Sequence, residues 1–123
     1  RIDDAARSFA TERVLYLIWQ DPWMTVARDT YIARMLECVK WQTVPAEATT
    51  RYPIVDLASP ILDEVDVVML STEPYRFTSS HAARLADQLP GKRVMLIDGE
   101  MTSWYGPRAI AGLDYLLRLR LSE

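Results

Sequence analysis

Aromatic and acidic residues occur together at three points of the 123-residue chain. The first group is Trp19-Gln20-Asp21-Pro22-Trp23, the second is Ser71-Thr72-Glu73-Pro74-Tyr75, and the third runs from Asp98-Gly99-Glu100 to Trp104-Tyr105. Their carboxylates could act as general acids and bases or bind a hard cation. Their indole and phenol rings could form a flat wall for a large planar or bulky ligand. The same residues could equally cap helices and cover a sheet edge.

Signatures of catalysis are weak. The four glycines form neither a G-x-G-x-x-G phosphate loop nor a G-x-S-x-G nucleophile elbow. The single histidine, His81, falls on the polar side of a predicted helix, where we expect it to be solvated. One histidine and one cysteine leave few ways to build a zinc site. We therefore expect no catalytic residue, no metal and no resident cofactor.

The charge and the apolar content of the chain bear on which kinds of partner it could bind. Fourteen basic and seventeen acidic residues give a net charge of −3 without a basic block, so we expect no nucleic-acid binding. No apolar run approaches the roughly 20 residues that a membrane-spanning helix needs. The length and the apolar half of the composition predict one globular domain with a sizeable core.

The hydrophobic pattern alternates between two periods. Short apolar runs predict buried strands, and stripes spaced by three and four residues predict amphipathic helices between them. This alternation predicts an α/β fold: a three-layer αβα sandwich with a mostly parallel four- to five-stranded sheet. Because ligands bind beyond the carboxyl ends of parallel strands, the three aromatic groups should share one edge. The strands are predicted at 14–19, 41–44, 65–70 and 94–97, and the helices at 27–39, from Asp56 to Leu62, at 78–89 and from Pro107.

Four pieces in order resemble a known family. They are the stretch Arg13–Val44, the triplet Arg51-Tyr52-Pro53, STEPYRF at 71–77 and DGEMTSWYGPR at 98–108. Together they resemble the carboxyl-terminal lobe of periplasmic substrate-binding proteins of ABC importers, in the helical-backbone class that takes cobalamin, iron-siderophores and haem. The cobalamin-binding branch is the most similar.

The resemblance implies a domain organisation and a site. Residues 1–12 would be the end of a helix between two lobes, residues 13–123 the carboxyl-terminal lobe, and the amino-terminal lobe would be missing from this chain. The protein would be periplasmic and would bind cobalamin or a ferric-siderophore without catalysis, together with an ABC permease in the membrane. Ligand contacts would come from Trp19, Gln20, Asp21, Trp23, Tyr52 and Trp104.

Two positions depart from the family pattern. Lys40 stands where relatives commonly carry a glycine that ends the first helix. Ala58 stands where such lobes often carry a glutamate that docks on the permease. Asp56, expected to cap a helix, and Glu73 are weaker candidates for that docking role.

Two other functions stay open at this stage. The chain could be a small α/β enzyme or regulatory domain that uses the carboxylates at the strand ends. It could also be an interaction module whose exposed aromatic edge pairs two copies into a homodimer, because apolar patches open to water tend to find a partner.

Overall fold

Five strands form the centre of the molecule in the computed structural model, which describes residues 9–28, 30–45, 50–73, 75–102 and 108–121. The strands are β1 (Glu12–Trp19), β2 (Met24–Thr25), β3 (Trp41–Thr43), β4 (Val67–Ser71) and β5 (Arg93–Ile97). The four predicted strands are confirmed within two residues, and β2 is an addition that the sequence pattern did not indicate. β1 begins at Glu12, one residue before the predicted start of the lobe, and residues 1–8 lie outside the described part.

The sheet is parallel apart from β2. β1 lies at its centre, with β4 and then β5 on one side, all parallel. On its other side β1 pairs with β3 along its first half, in parallel, and with β2 along its last half, in antiparallel orientation. The carboxyl ends of β1, β4 and β5 therefore lie at one edge, as predicted.

Side chains of the central strands alternate between two cores, because successive residues of a strand point to opposite faces. Val14, Tyr16 and Ile18 pack on one face of the sheet, and Leu15 and Leu17 pack on the other. The predicted three-layer αβα sandwich is therefore confirmed. The first core is covered by α1 (Tyr31–Glu37) and α4 (Arg108–Leu121), and the second by a 3-10 helix (Pro60–Glu64) and α2 (Ser79–Gln88). The short helix α3 (Gly99–Thr102) follows β5.

Two helix starts differ from the prediction. α1 begins at Tyr31 rather than near residue 27, because the Ala27 backbone N–H donates to the Arg51 carbonyl at 2.7 Å and Thr30 caps the helix instead. The prediction that Asp56 caps the next helix is wrong. Ser59 is the N-cap of the 3-10 helix, and Asp56 accepts from the Ala58 backbone N–H at 2.9 Å in a preceding turn.

The turn after α1 has the geometry that its sequence position suggested. Lys40 has φ 66, the left-handed conformation that usually carries glycine. Its carbonyl accepts the Glu12 N–H at 2.9 Å, and its own N–H donates to Glu37 at 3.0 Å. The Lys40 carbonyl thus ties the turn to β1 and its N–H ties it to the end of α1, while a lysine occupies a strained position.

An ion pair lies at the edge of the sheet opposite to the carboxyl ends of the strands. Arg120 of α4 is buried, donates to Glu12 Oε1 at 2.6 Å and to the Val39 carbonyl at 3.2 Å, and lies over the rings of Phe9 and Trp41. This buried guanidinium joins α4 to the start of β1 and to the segment before β3, which is a structural role. No helix in the described part of the chain is long and apolar enough to cross a bilayer.

Candidate functional site

A tight hairpin presents the first aromatic group. β1 ends at Trp19, and the chain turns back so that Leu17 pairs with Thr25 and Trp19 with Met24. Thr25 Oγ1 donates to the Tyr16 carbonyl at 2.6 Å and anchors the returning strand. Trp19 keeps 40% of its surface exposed although its backbone belongs to the central strand. A large ring is thus held open to solvent on a rigid element.

The turn itself holds the polar residues of the group. Asp21 is exposed and takes φ 57, a conformation that aspartate tolerates better than most residues, and the Asp21–Pro22 peptide is cis. Gln20 is half-buried and donates from Nε2 to the Tyr75 hydroxyl at 2.5 Å. Gln20 therefore supports an aromatic residue of the next strand exit, while the Asp21 carboxylate faces solvent.

The segment around Tyr52 runs beside this hairpin. The Thr25 N–H donates to the Pro53 carbonyl at 3.0 Å, and the Val55 N–H donates to the Trp23 carbonyl at 2.9 Å. Tyr52 and Ile54 are 46% and 68% exposed. The structure thus brings together the two segments, 19–24 and 52–53, that the resemblance placed at a ligand cleft, and it adds Ile54 to their exposed apolar surface.

The first two strand exits meet in a cluster of rings, called here the aromatic cluster: Trp19, Trp23, Tyr75, Phe77 and His81. Trp19 contacts Tyr75 edge to face at 5.3 Å between centroids, and Trp23 stacks on buried Phe77 at 6.1 Å with ring planes 3° apart. Tyr75 and Phe77 are 4.6 Å apart. Trp23 is half-buried by these contacts. It is therefore both a packing residue and a candidate for ligand contact.

His81 is where sequence reasoning failed. It was expected to be a solvated surface residue, but its ring lies edge-on to Tyr75 at 5.7 Å and to Phe77 at 5.4 Å. Its Nδ1 accepts the Thr78 backbone N–H at 3.0 Å. That bond closes the first turn of α2 and turns the imidazole toward the rings. The spacing Thr78-x-x-His81 was the signal available in the sequence.

The third strand exit uses its acid as a helix cap. Asp98 Oδ1 accepts the N–H groups of Glu100 at 3.0 Å and Met101 at 3.3 Å, which begins the short helix α3 (Gly99–Thr102). Trp104 lies outside the described residues. In the described part of the chain, no three acidic, histidine or cysteine side chains come together as a metal site.

A buried tyrosine ties the three exits together. The Tyr16 hydroxyl lies 2.7 Å from Thr102 Oγ1 and 3.3 Å from Ser71 Oγ. Ser71 Oγ donates to the Glu73 carbonyl at 2.7 Å, so Tyr16 is the donor toward Ser71. Thr102 Oγ1 lies 3.1 Å from the Gly99 carbonyl, and either hydroxyl can be the donor between Tyr16 and Thr102. Burial raises the pKa of Tyr16 to about 12. The network fixes the loops on which the candidate site is built.

The two docking candidates differ in their surroundings. Asp56 is exposed, and one of its carboxylate oxygens accepts a hydrogen bond from the Ala58 N–H within its own turn. Glu73 is exposed and its side chain packs against Gly99. The contact is so close that a Cβ atom added to the glycine would lie 2.8 Å from Glu73 Cγ. Ala58 is also exposed, so the position that the resemblance assigned to docking is accessible but carries no charge.

No protein-family model matches the chain, and no curated protein matches it. Solved structures do. The periplasmic vitamin B12 binding protein BtuF of Vibrio cholerae superimposes with a TM-score of 0.77 at 14% identity, over 99% of this chain and 50% of that one. The periplasmic heme-binding protein RhuT from Roseiflexus sp. RS-1 gives 0.72 at 20% identity, over 98% and 49%.

A third neighbour is named for another kind of transport. An ABC-type Fe3+-hydroxamate transport system protein from Saccharomonospora viridis gives a TM-score of 0.63 at 16% identity, over 99% of this chain and 44% of that one. The chain thus spans about half the length of these proteins. Identities this low show the fold, and that fold is the carboxyl-terminal lobe of periplasmic binding proteins for B12, heme and siderophore importers.

Proposed function

We propose that the chain is the substrate-binding lobe of an ABC-type importer and forms one wall of a ligand cleft. The observation that carries this proposal is the exposed aromatic surface at the carboxyl edge of the sheet, where Trp19 and Tyr52 are 40% and 46% exposed on neighbouring segments. Exposing large apolar rings to water is unfavourable. Such exposure is typical of a surface that meets a partner or ligand.

The proposed ligand is cobalamin or a ferric-siderophore or haem-like molecule. Two features of the edge suit a large ligand with flat or bulky faces: exposed rings, and backbone hydrogen bonds that tie the hairpin to residues 51–55. The structural neighbours named for vitamin B12, heme and Fe3+-hydroxamate support this class. On the described residues, the contacts would come from Trp19, Gln20, Asp21, Trp23 and Tyr52, with Trp104 proposed from the resemblance alone.

A second lobe would supply the other wall of the cleft. The neighbours are about twice as long as this chain, which supports an arrangement of two lobes joined by a segment to which residues 1–12 would belong. A single wall covers one face of a ligand, whereas small-molecule sites usually bury most of it. Binding by this chain alone should therefore be weaker than micromolar.

Transport would require a permease partner and a periplasmic location, which the neighbours' descriptions support. With Ala58 uncharged, docking on permease arginines would depend on the exposed carboxylate of Asp56 or of Glu73. Both are solvated, so each could form an ion pair across an interface without first breaking a strong contact of its own.

The test is a titration of the labelled chain, followed by nuclear magnetic resonance, with cyanocobalamin, haemin and a ferric hydroxamate. One of the three should shift resonances of the hairpin and of residues 51–55 with a dissociation constant of about 10 µM to 1 mM. Trp19→Ala should weaken that binding by about five- to tenfold, the loss of one aromatic contact. Ile110→Ala removes a 69% exposed apolar side chain from α4 and is the matched control.

Two results would contradict the proposal. One is the absence of saturable shifts with all three ligands at millimolar concentration. The other is binding that Trp19→Ala leaves unchanged. Submicromolar affinity would contradict only the half-cleft argument, because it would show that one wall suffices.

A further inference from the structure

A small pocket lies beside the strand-exit edge, between the β1–β2 hairpin and helix α2. It is a pocket of about 80 Å³. A single water needs only about 10–15 Å³ on the same measure, so the pocket has room for a small organic group. It is lined by Gln20, Trp23, His81, Arg84, Leu85 and Gln88.

One helix supplies most of this lining. His81, Arg84, Leu85 and Gln88 follow the i, i+3, i+4, i+7 spacing, so they share one face of α2. Leu85 is buried and forms an apolar floor, and Trp23, held against Phe77, forms a wall. The pocket is therefore built from regular elements with one apolar side and one polar side.

The polar side is rich in donors and contains one positive charge. Because His81 Nδ1 accepts from the Thr78 N–H, the ring nitrogen left to donate is Nε2. Arg84 makes one hydrogen bond among the described residues, from Nε to the Ser80 carbonyl at 3.5 Å, so its two terminal nitrogens are available. Gln88 adds an amide. None of the six lining residues is acidic, although Asp21 and Asp87 adjoin them in sequence.

We infer that this pocket binds a small monocarboxylate with a short apolar stem. A guanidinium matches a carboxylate as a two-pronged donor, and one guanidinium balances one negative charge. A phosphate or sulfate dianion would bring a second charge that none of the six lining residues offsets. The stem would lie on Leu85 and Trp23. The pocket shares Gln20 and Trp23 with the proposed contacts of the large ligand, but the inference rests on Arg84, Leu85 and Gln88, which are not among those contacts.

The experiment uses butyrate as the probe and the labelled full chain. Butyrate should shift the Trp23 indole and Gln88 side-chain amide resonances saturably, with a millimolar dissociation constant for so small a ligand. Butyramide, which has the same size and no charge, should bind at least about tenfold more weakly, and so should phosphate.

Variants locate the effect. Arg84→Gln should weaken butyrate binding about tenfold, and Gln88→Glu should abolish it, because the new carboxylate would occupy the guanidinium from the next turn of the helix. Arg118→Gln removes the same charge from an exposed pair with Asp114 on α4 and should leave binding unchanged. Butyramide binding as well as butyrate, or an unchanged affinity in Arg84→Gln, would overturn the inference.

Discussion

Trp19, at the end of β1, and Tyr75, beyond the end of β4, meet edge to face with their ring planes at 77°. Gln20 reinforces the contact through its 2.5 Å bond to the Tyr75 hydroxyl. The contact joins two strand exits that are far apart in sequence, and it leaves Trp19 substantially exposed. These contacts hold the Trp19 ring in place, which would reduce the entropy lost if a ligand or partner bound at this edge.

Self-association is the first expected consequence of this edge. We predict that the chain forms a two-fold pair through Trp19, Tyr52 and Ile54, because closed symmetric dimers dominate among homo-oligomers. The double variant Trp19→Ser/Tyr52→Ser should be monomeric in sedimentation velocity at high micromolar concentration, where the unaltered chain is dimeric. Its free energy of unfolding should fall by about 2–4 kcal/mol, less than for two fully buried rings, since both rings are only partly buried.

A matched control removes apolar surface elsewhere. Ile110→Ser/Leu121→Ser takes two side chains that are 69% and 63% exposed from α4 and should leave the dimer intact. Trp23→Ser should instead lower the free energy of unfolding by about 2–3 kcal/mol, because its ring is half-buried on Phe77. A monomeric unaltered chain would contradict the prediction.

Tyr16 should make stability sensitive to alkaline pH. Its pKa is about 12 in the folded chain, against about 10 for an exposed tyrosine, because burial disfavours the phenolate. Between these values the unfolded chain releases the proton and the folded chain retains it, so the stabilisation present below pH 10 is lost as pH rises toward 12. The loss should reach roughly 2–3 kcal/mol.

Tyr16→Phe isolates this effect from other titrating groups. The variant should be less stable by about 1–2 kcal/mol at neutral pH, because Thr102 and Ser71 each lose a hydrogen-bond partner. Urea denaturation from pH 8 to pH 11.5 should show the gap between the two proteins narrowing with pH. A constant gap would mean that Tyr16 does not titrate differently in the two states.

Lys40→Gly should stabilise the protein. Lys40 holds a left-handed φ of 66, and glycine adopts that conformation without a Cβ clash. Relief of that strain should exceed the extra chain entropy of glycine in the unfolded state, for a gain of about 0.5–1 kcal/mol in thermal or urea denaturation. Lys40→Ala keeps the strain and removes the same charge, so it should gain nothing. Equal effects of the two variants would attribute the change to charge.

Glu12→Gln should be among the more damaging changes to a single side chain. Glu12 receives hydrogen bonds from Arg120, Arg93 and the Trp41 indole, the last at 3.0 Å, and Arg120 is only 8% exposed. With a neutral glutamine in place of Glu12, the positive charge of the buried Arg120 lacks a negative partner. The free energy of unfolding measured by urea denaturation should therefore fall by about 3 kcal/mol.

Glu64→Gln tests whether charge loss alone explains the effect. Glu64 pairs with Arg13 at 3.6 Å, and both side chains are more than half exposed. Such surface pairs contribute about 0–1 kcal/mol, so this variant should remain close to the unaltered chain. A loss equal to that of Glu12→Gln would remove the special role assigned to the buried pair.

The sequence alone determined the fold class and the edge at which a site could lie. Val67–Leu70 and Val14–Ile18 read as strands because residues buried on both faces leave an uninterrupted apolar run. Once such strands alternate with helices, right-handed crossovers make them parallel and bring their carboxyl ends together. The aromatic residues after Trp19 and Ser71 could therefore be assigned to one edge without coordinates.

Only the tertiary structure decided which side chains meet there and which become packing. The hairpin strand Met24–Thr25 has two residues, too few for a period-two pattern, and exists because β1 and residues 51–55 offer it hydrogen-bond partners. As a carboxylic acid, Asp98 could have been an acid catalyst. In the structure a helix begins beside it, and its carboxylate caps that helix. His81 looked solvated because helical periodicity records only its own helix, whereas its ring is set by Phe77 and Tyr75 from the preceding loop. Local patterns fix elements, but contacts between distant segments depend on register and turn geometry that no short window of sequence contains.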